Sequence, residues 1–158
     1  MLLARKTRRR RGATVVESAL VYPIAFLLVI GLIVAAFGVF RYQEVASVAR
    51  EGARWASVHG YQSAQEANPN TTPPPLTQPS DVFTNAIQPQ ANAANLDPPS
   101  LGYSVTWADP SESPLYYNYT TGAWTRNTVT VTITYQWIPE TYLGGITLTS
   151  TSIMPITY

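Results

Sequence analysis

The sequence predicts an α+β chain: one long N-terminal helix, half membrane span and half stalk, packed on a small antiparallel β-sheet. Three observations predict it. Between Ser18 and Phe40 lie 23 residues without a formal charge, most of them large and apolar. The stretch RYQEVASVAREGARWASVHGY that follows has no proline and repeats its apolar residues at spacings of three and four. Beyond residue 100, several segments alternate apolar and polar residues with period two.

A helix of 23 residues spans about 30 Å, enough for the hydrocarbon core of a bilayer. Six of the ten basic residues, Arg5, Lys6, Arg8, Arg9, Arg10 and Arg11, precede this run. That asymmetry places the N-terminus in the cytoplasm and the C-terminal domain outside. A secretory signal peptide has an apolar region of only about 7–15 residues and a small-residue exit. The run here is longer, has no A-x-A-like exit and continues into a helix-compatible stretch. The arginines also suggest a twin-arginine signal, but the length and hydrophobicity of the segment argue against export and removal.

The stalk places Val45, Val48, Ala49, Gly52, Trp55, Ala56 and His59 on one face. Glu51 and Arg54, three apart, suit an ion pair worth a few tenths of a kcal/mol. One helix is therefore expected from about Thr14 to about Tyr61. Eight of the 13 prolines fall between Ala67 and Ser100, which marks a loop. A short helix is expected inside it, with Ser80 as N-cap, carrying Val82, Phe83, Ala86 and Ile87 and limited by Pro89.

Three strands follow: LGYSVTW (101–107), TVTVTITYQW (128–137) and the segment beginning at Gly145. In the second, Val129, Val131, Ile133, Tyr135 and Trp137 share a face. LYYNYTTGAWTR between the first two reads as a hairpin turning near Thr121 and Gly122. Such a sheet needs a cover, and the stalk face supplies it. The expected organisation is a basic segment 1–12, a transmembrane helix 13–40, a stalk helix 41–64, a proline-rich loop 65–100 and a sheet domain 101–158.

Composition excludes several functions. Net charge is +1, but from Ala13 onward four basic residues face nine acidic ones. A basic tail abutting an apolar run is explained by membrane topology rather than nucleic-acid binding. No cysteine is present, which excludes disulfides and thiolate chemistry. His59 is the lone histidine, so neither a metal site nor a Ser-His-Asp set assembles, and no cofactor is expected. Asp109 and Glu112 flank Pro110 and read as solvated turn residues. The aromatic residues Tyr103, Trp107, Tyr116, Tyr117, Tyr119, Trp124, Tyr135 and Trp137 read as sheet core.

One charge interrupts the pattern. Glu17 stands at the threshold of the apolar run. A carboxylate at the centre of a membrane helix costs about 2.5–3.5 kcal/mol, and less near the interface. It is tolerable there, where the helix dipole also favours it, and gains from a cation at matching depth.

A basic tail, then Gly12, Ala13, Glu17 and a long apolar helix together resemble the class III leader of type IV pilin-like proteins. The resemblance implies a pilin-like fold and cleavage by a prepilin peptidase between Gly12 and Ala13. Glu17 then becomes the fifth residue of the mature chain, where this family carries a glutamate. The new α-ammonium of Ala13 on a neighbouring subunit would be its partner and would set register. RGATVVESALVYPIAFLLVIGLI, EVASVAREGARWAS, VTVTITYQW and LGGITLTSTSIM resemble in order the TadE-like proteins of tight-adherence (Flp) pilus systems. The major pilins of those systems are much shorter and commonly carry tyrosine after the glutamate, where this chain has Ser18. The resemblance therefore implies a minor pseudopilin. Its partners would be other pilin subunits, an inner-membrane assembly platform and the lipid bilayer. Alternatives are a major pilin and a single-pass envelope protein that binds partners without entering a filament.

Two further features belong to the helix. Pro23 removes the hydrogen bond to the Ala19 carbonyl and predicts a kink or weak point. Gly31, Ala35 and Gly38 form a small-residue stripe of the kind that permits close helix approach in membranes.

Overall fold

The computed structural model describes residues 11–71, 77–138 and 144–157, with the backbone alone for 11–13. Two compact units are present, Met1–Gly38 and Val39–Tyr158. The helix α1 (Arg11–Val58) contributes to both.

In the second unit, the part of α1 from Val39 on buries one face. Val45, Val48, Ala49, Ala53 and Ala56 have no solvent exposure, and Gly52 is buried with them. Five of the seven residues expected on this face are buried, with Ala53 and Ser57 added to them; Trp55 is half-buried, and His59 lies beyond the end of the helix. The face packs on the sheet order β1-β4-β5, formed by β1 (Leu101–Trp107), β4 (Thr128–Trp137) and β5 (Ile146–Pro155). All pairings are antiparallel, with Val105 opposite Val131 and Val131 opposite Ser152. Val129, Val131 and Ile133 on the central strand are fully buried, as period-two alternation requires. A Cβ on Gly52 would lie 3.0 Å from Ile87 Cγ1 and 3.2 Å from Val131 Cγ1. The glycine thus lets the helix backbone close on its neighbours.

The helix ends at Val58, short of the expected Tyr61. His59 and Gly60 break it, and α2 (Tyr61–Ala67) starts afresh with Gly60 as N-cap. The break is fixed by a bond from the Tyr61 N–H to the Glu112 carbonyl (3.2 Å).

The helix expected near Ser80 exists, but both ends differ from expectation. It begins at Pro79, at the first helical position with its φ preset, and Gln78 is the N-cap. Asp81 at the third position accepts from the Gln78 N–H (2.8 Å), completing the cap from behind. Pro89 does not stop it. The helix α3 (Pro79–Val82) widens into a π-helical turn, Phe83–Ile87, then continues as α4 (Gln88–Ala93). Proline in a regular helix collides with the carbonyl four residues back, and the wider π turn placed just before it relieves that collision. Asn95 (φ 50) ends the segment, and Leu96, buried, donates to the Ala91 carbonyl (3.0 Å) in a Schellman-type closure. This segment covers the β1 side of the core, with Phe83 stacked on Tyr103 at 4.5 Å.

The hairpin of β2 (Leu115–Asn118) and β3 (Ala123–Arg126) forms its own two-stranded sheet. Gly122 (φ 68) makes the turn, and Asn118 Oδ1 accepts from the N–H groups of Thr120 and Thr121. Because these strands leave the main sheet, the aromatic residues do not form one core. Tyr135 is buried and Trp107 and Trp137 are half-buried against the core, but Tyr103 and Tyr117 are exposed, Trp124 is 71% exposed and Tyr119 91%.

Asp109 and Glu112 also depart from expectation. Glu112 is buried, with φ 54, and its carboxylate accepts from the Thr77 N–H (3.1 Å). Asp109 is half-buried, and its backbone is bound by the fully buried Asn127. Asn127 Oδ1 accepts from the Asp109 N–H and Nδ2 donates to the Asp109 carbonyl. The Asn127 carbonyl in turn accepts from Ile156 (3.0 Å), and Thr157 donates to the Ser57 carbonyl (2.9 Å). These bonds fasten the end of β5 to both β4 and α1.

Candidate functional site

The residues singled out from the sequence all fall in the first unit. Arg11, Gly12 and Ala13 form the first turn of α1. The basic residues before Arg11 lie outside the described residues. Glu17 is exposed one turn further on, and among the described residues no basic side chain lies within ion-pair distance of it. The two ion pairs among the described residues are in the second unit: Arg41 with Glu44 at 2.7 Å and Arg54 with Glu51 at 3.9 Å.

From Thr14 to Gly38 no residue is buried. Leu20, Leu27 and Leu32 are 71%, 75% and 68% exposed, and Ile24, Phe26, Leu28 and Phe37 are comparable. A helix serving as the core of a soluble domain would have most of these side chains buried; this one has none buried, over a length that suits a bilayer. Exposing so much contiguous apolar surface to water is unfavourable by about 25 cal/mol for each Å². Its natural surroundings are therefore lipid or other helices.

The remaining site residues sit within this exposed stretch. The helix runs through Pro23 without interruption. Gly31 and Ala35 are exposed and Gly38 is half-buried, and a Cβ on Gly31 would meet nothing within 4 Å. Among the described residues nothing approaches Gly31 as Ile87 and Val131 approach Gly52. The structure does not bring Gly12, Glu17, Pro23 and the stripe together into a pocket. They lie at successive heights along one helix.

In the second unit, the described residues include one histidine and one buried carboxylate of note. The His59 ring stacks on Trp55 (3.8 Å, 10°), and its Nδ1 lies 2.8 Å from the Trp55 carbonyl. His59 lines a shallow cleft with Thr77, Asp81 and Asn85. Among the described residues, no group of three or more His, Cys, Asp or Glu side chains is placed to hold a metal ion. Glu112 is the feature sequence reading missed. Burial pushes its carboxyl above the ordinary value of 4.5, and the nearby Asp81 charge adds to the shift. The hydrogen bonds from Thr77 oppose it. No local signal marks it, because its partner is 35 residues away.

Residues 12–54 match the family model described as TadE-like protein. The matched segment starts at Gly12, takes in Glu17 and the exposed apolar helix, and ends within the buried stripe. No curated protein and no solved structure matches the chain.

Proposed function

We propose that this chain, TadE-like over residues 12–54, is a structural, non-enzymatic subunit of a tight-adherence (Flp) pilus system. It is anchored in the inner membrane by a single span, with the basic tail in the cytoplasm and the sheet domain outside. A prepilin peptidase cuts between Gly12 and Ala13, and the mature subunit acts in initiating the filament, at its tip or as a minor component. Its partners are the peptidase, other pilin-like subunits, the assembly platform and the bilayer.

The observation that carries this reading is the apolar helix between Thr14 and Gly38, in which no residue is buried, with one exposed carboxylate near its N-terminal end. Lipid satisfies the apolar side chains but not Glu17. A neighbouring subunit satisfies both. Cleavage after Gly12 creates an α-ammonium on Ala13, one helical turn from the depth of Glu17, and the pair is strong where water is scarce. Gly31, Ala35 and Gly38 would then let neighbouring helices approach closely, and Pro23 would give the helix a place to bend as it leaves the bilayer.

The test is Glu17→Ala in cells that build the filament. The variant is expected to be processed normally and to remain in the membrane, with piliation lost. Normal piliation would overturn the pairing role.

A further inference from the structure

The cleft beside His59 is built by four pieces of chain. The last turn of α1 supplies Trp55, the break supplies His59, α2 and its end supply Ser63 and Asn68, and the segment from Thr77 into the π turn supplies Asp81 and Asn85. The cleft has a volume of about 330 Å³ and is open to solvent. Its polar atoms are not balanced. His59 Nδ1 lies 2.8 Å from the Trp55 carbonyl, and because a carbonyl only accepts, Nδ1 carries the proton. Thr77 Oγ1 donates to the His59 carbonyl, Asn68 Nδ2 to the Ala64 carbonyl (3.3 Å) and Asn85 Nδ2 to the Asp81 carbonyl (2.8 Å). Asp81 takes the Gln78 N–H on Oδ2. The donating atoms of these side chains are thus engaged by the chain itself. What they leave without a partner are acceptors: Nε2 of neutral His59 and Oδ1 of Asp81, Asn68 and Asn85. Among the described residues, no Lys or Arg side chain lines the cleft and no ion pair includes Asp81.

We propose that this cleft binds a guanidinium group, presented by a partner protein as an arginine side chain. The occupant follows from the unmatched acceptors, because it must donate and must carry positive charge. A guanidinium has five N–H donors in a planar fork and no acceptor, whereas an ammonium has three donors on one point. A charge-assisted bond to Asp81 anchors it. The stacked rings of Trp55 and His59 offer an aromatic wall to the cation and to its apolar stem. A side chain within a protein is favoured over a free amino acid, because no basic group lines the cleft to receive an α-carboxylate. The site lies wholly in the second unit. It stands whether or not the chain is cut after Gly12.

His59 is the sole histidine, so its imidazole gives one set of NMR signals that needs no assignment. The full-length chain in detergent micelles is titrated with N-acetyl-arginine amide, which mimics an arginine inside a protein. The His59 signals are expected to shift and saturate. The citrulline analogue keeps the shape but loses the charge, and is expected to bind roughly tenfold more weakly or worse. N-acetyl-lysine amide is expected to bind more weakly than the arginine probe, and free arginine no tighter than it. Asp81→Asn keeps an oxygen for the Gln78 N–H, so thermal unfolding is expected to stay unchanged while binding of the arginine probe weakens by roughly tenfold or more. The absence of a saturable shift, equal binding of the citrulline probe, or full binding by Asp81→Asn would overturn the site. Equal binding of the lysine probe, or tighter binding of free arginine, would overturn the occupant.

Discussion

The stretches of α1 before and after Val39 share a backbone and a residue vocabulary, and they live in opposite surroundings. Between Thr14 and Gly38 nothing is buried; between Val45 and Ala56 a full stripe has no exposure at all. The difference lies in how the apolar residues are distributed. The first stretch is apolar all round, which no single face of a small sheet can cover. The second confines its small apolar residues to one side and turns Arg50 and Arg54 outward, which a sheet can cover. A helix that is uniformly apolar asks for a solvent; one that is apolar on a stripe asks for a partner within the chain.

The same substitution in the two stretches breaks the comparison most sharply. Val48→Asp places an unpaired carboxylate where no exposure remains, and is expected to cost more than about 4 kcal/mol and unfold the second unit. Leu28→Asp is expected to leave that unit folded and instead to weaken membrane insertion by about 3 kcal/mol. Limited proteolysis reads the first effect and alkaline extraction of membranes the second. If Val48→Asp leaves the sheet domain protease-resistant, the packing of this helix on the sheet is wrong.

The two glycines sharpen it. Gly52→Leu forces atoms against Ile87 and Val131 and is expected to destabilise by about 1–3 kcal/mol. Gly31→Leu enters open space and is expected to leave the melting temperature of the second unit unchanged. Equal shifts in thermal unfolding would erase the distinction between the two stretches.

The smallest effect concerns Glu112. Its folded-state pKa lies above the ordinary 4.5, so the folded chain holds this proton more tightly than the unfolded one. Its contribution is therefore most favourable below pH 4.5 and declines as the pH rises through the raised value. Glu112→Gln keeps an oxygen for the Thr77 N–H and removes the titration. The melting temperature of the variant relative to the parent is expected to rise between pH 4 and pH 7. A difference that stays constant with pH would show that Glu112 does not titrate in this way.

Regular periodicity made much of this fold legible in advance. The limits of β1 and β4, the turn at Gly122, the buried stripe of α1 and the Glu51–Arg54 pair all follow from spacing along the chain. What was not legible depends on contacts between distant residues. A proline in sequence reads as a stop, and only the π turn before Pro89 shows that the helix passes it. Glu112 reads as a turn residue because the groups that hold it are far away in sequence: the Thr77 N–H on its carboxylate and the Tyr61 N–H on its backbone carbonyl. Tyr119 and Trp124 read as core because alternation cannot tell a hairpin inside the main sheet from one that leaves it. The candidate site is a different case. Gly12, Ala13 and Glu17 lie within six residues on one helix, so the resemblance that singles them out draws on no tertiary contact.

The central claim is that the basic tail is removed and that the helix enters its assembly beginning at Ala13. N-terminal sequencing of the protein recovered from native membranes tests it most directly. The account predicts Ala13 as the first residue; a chain that still carries Arg8 to Gly12 would contradict it.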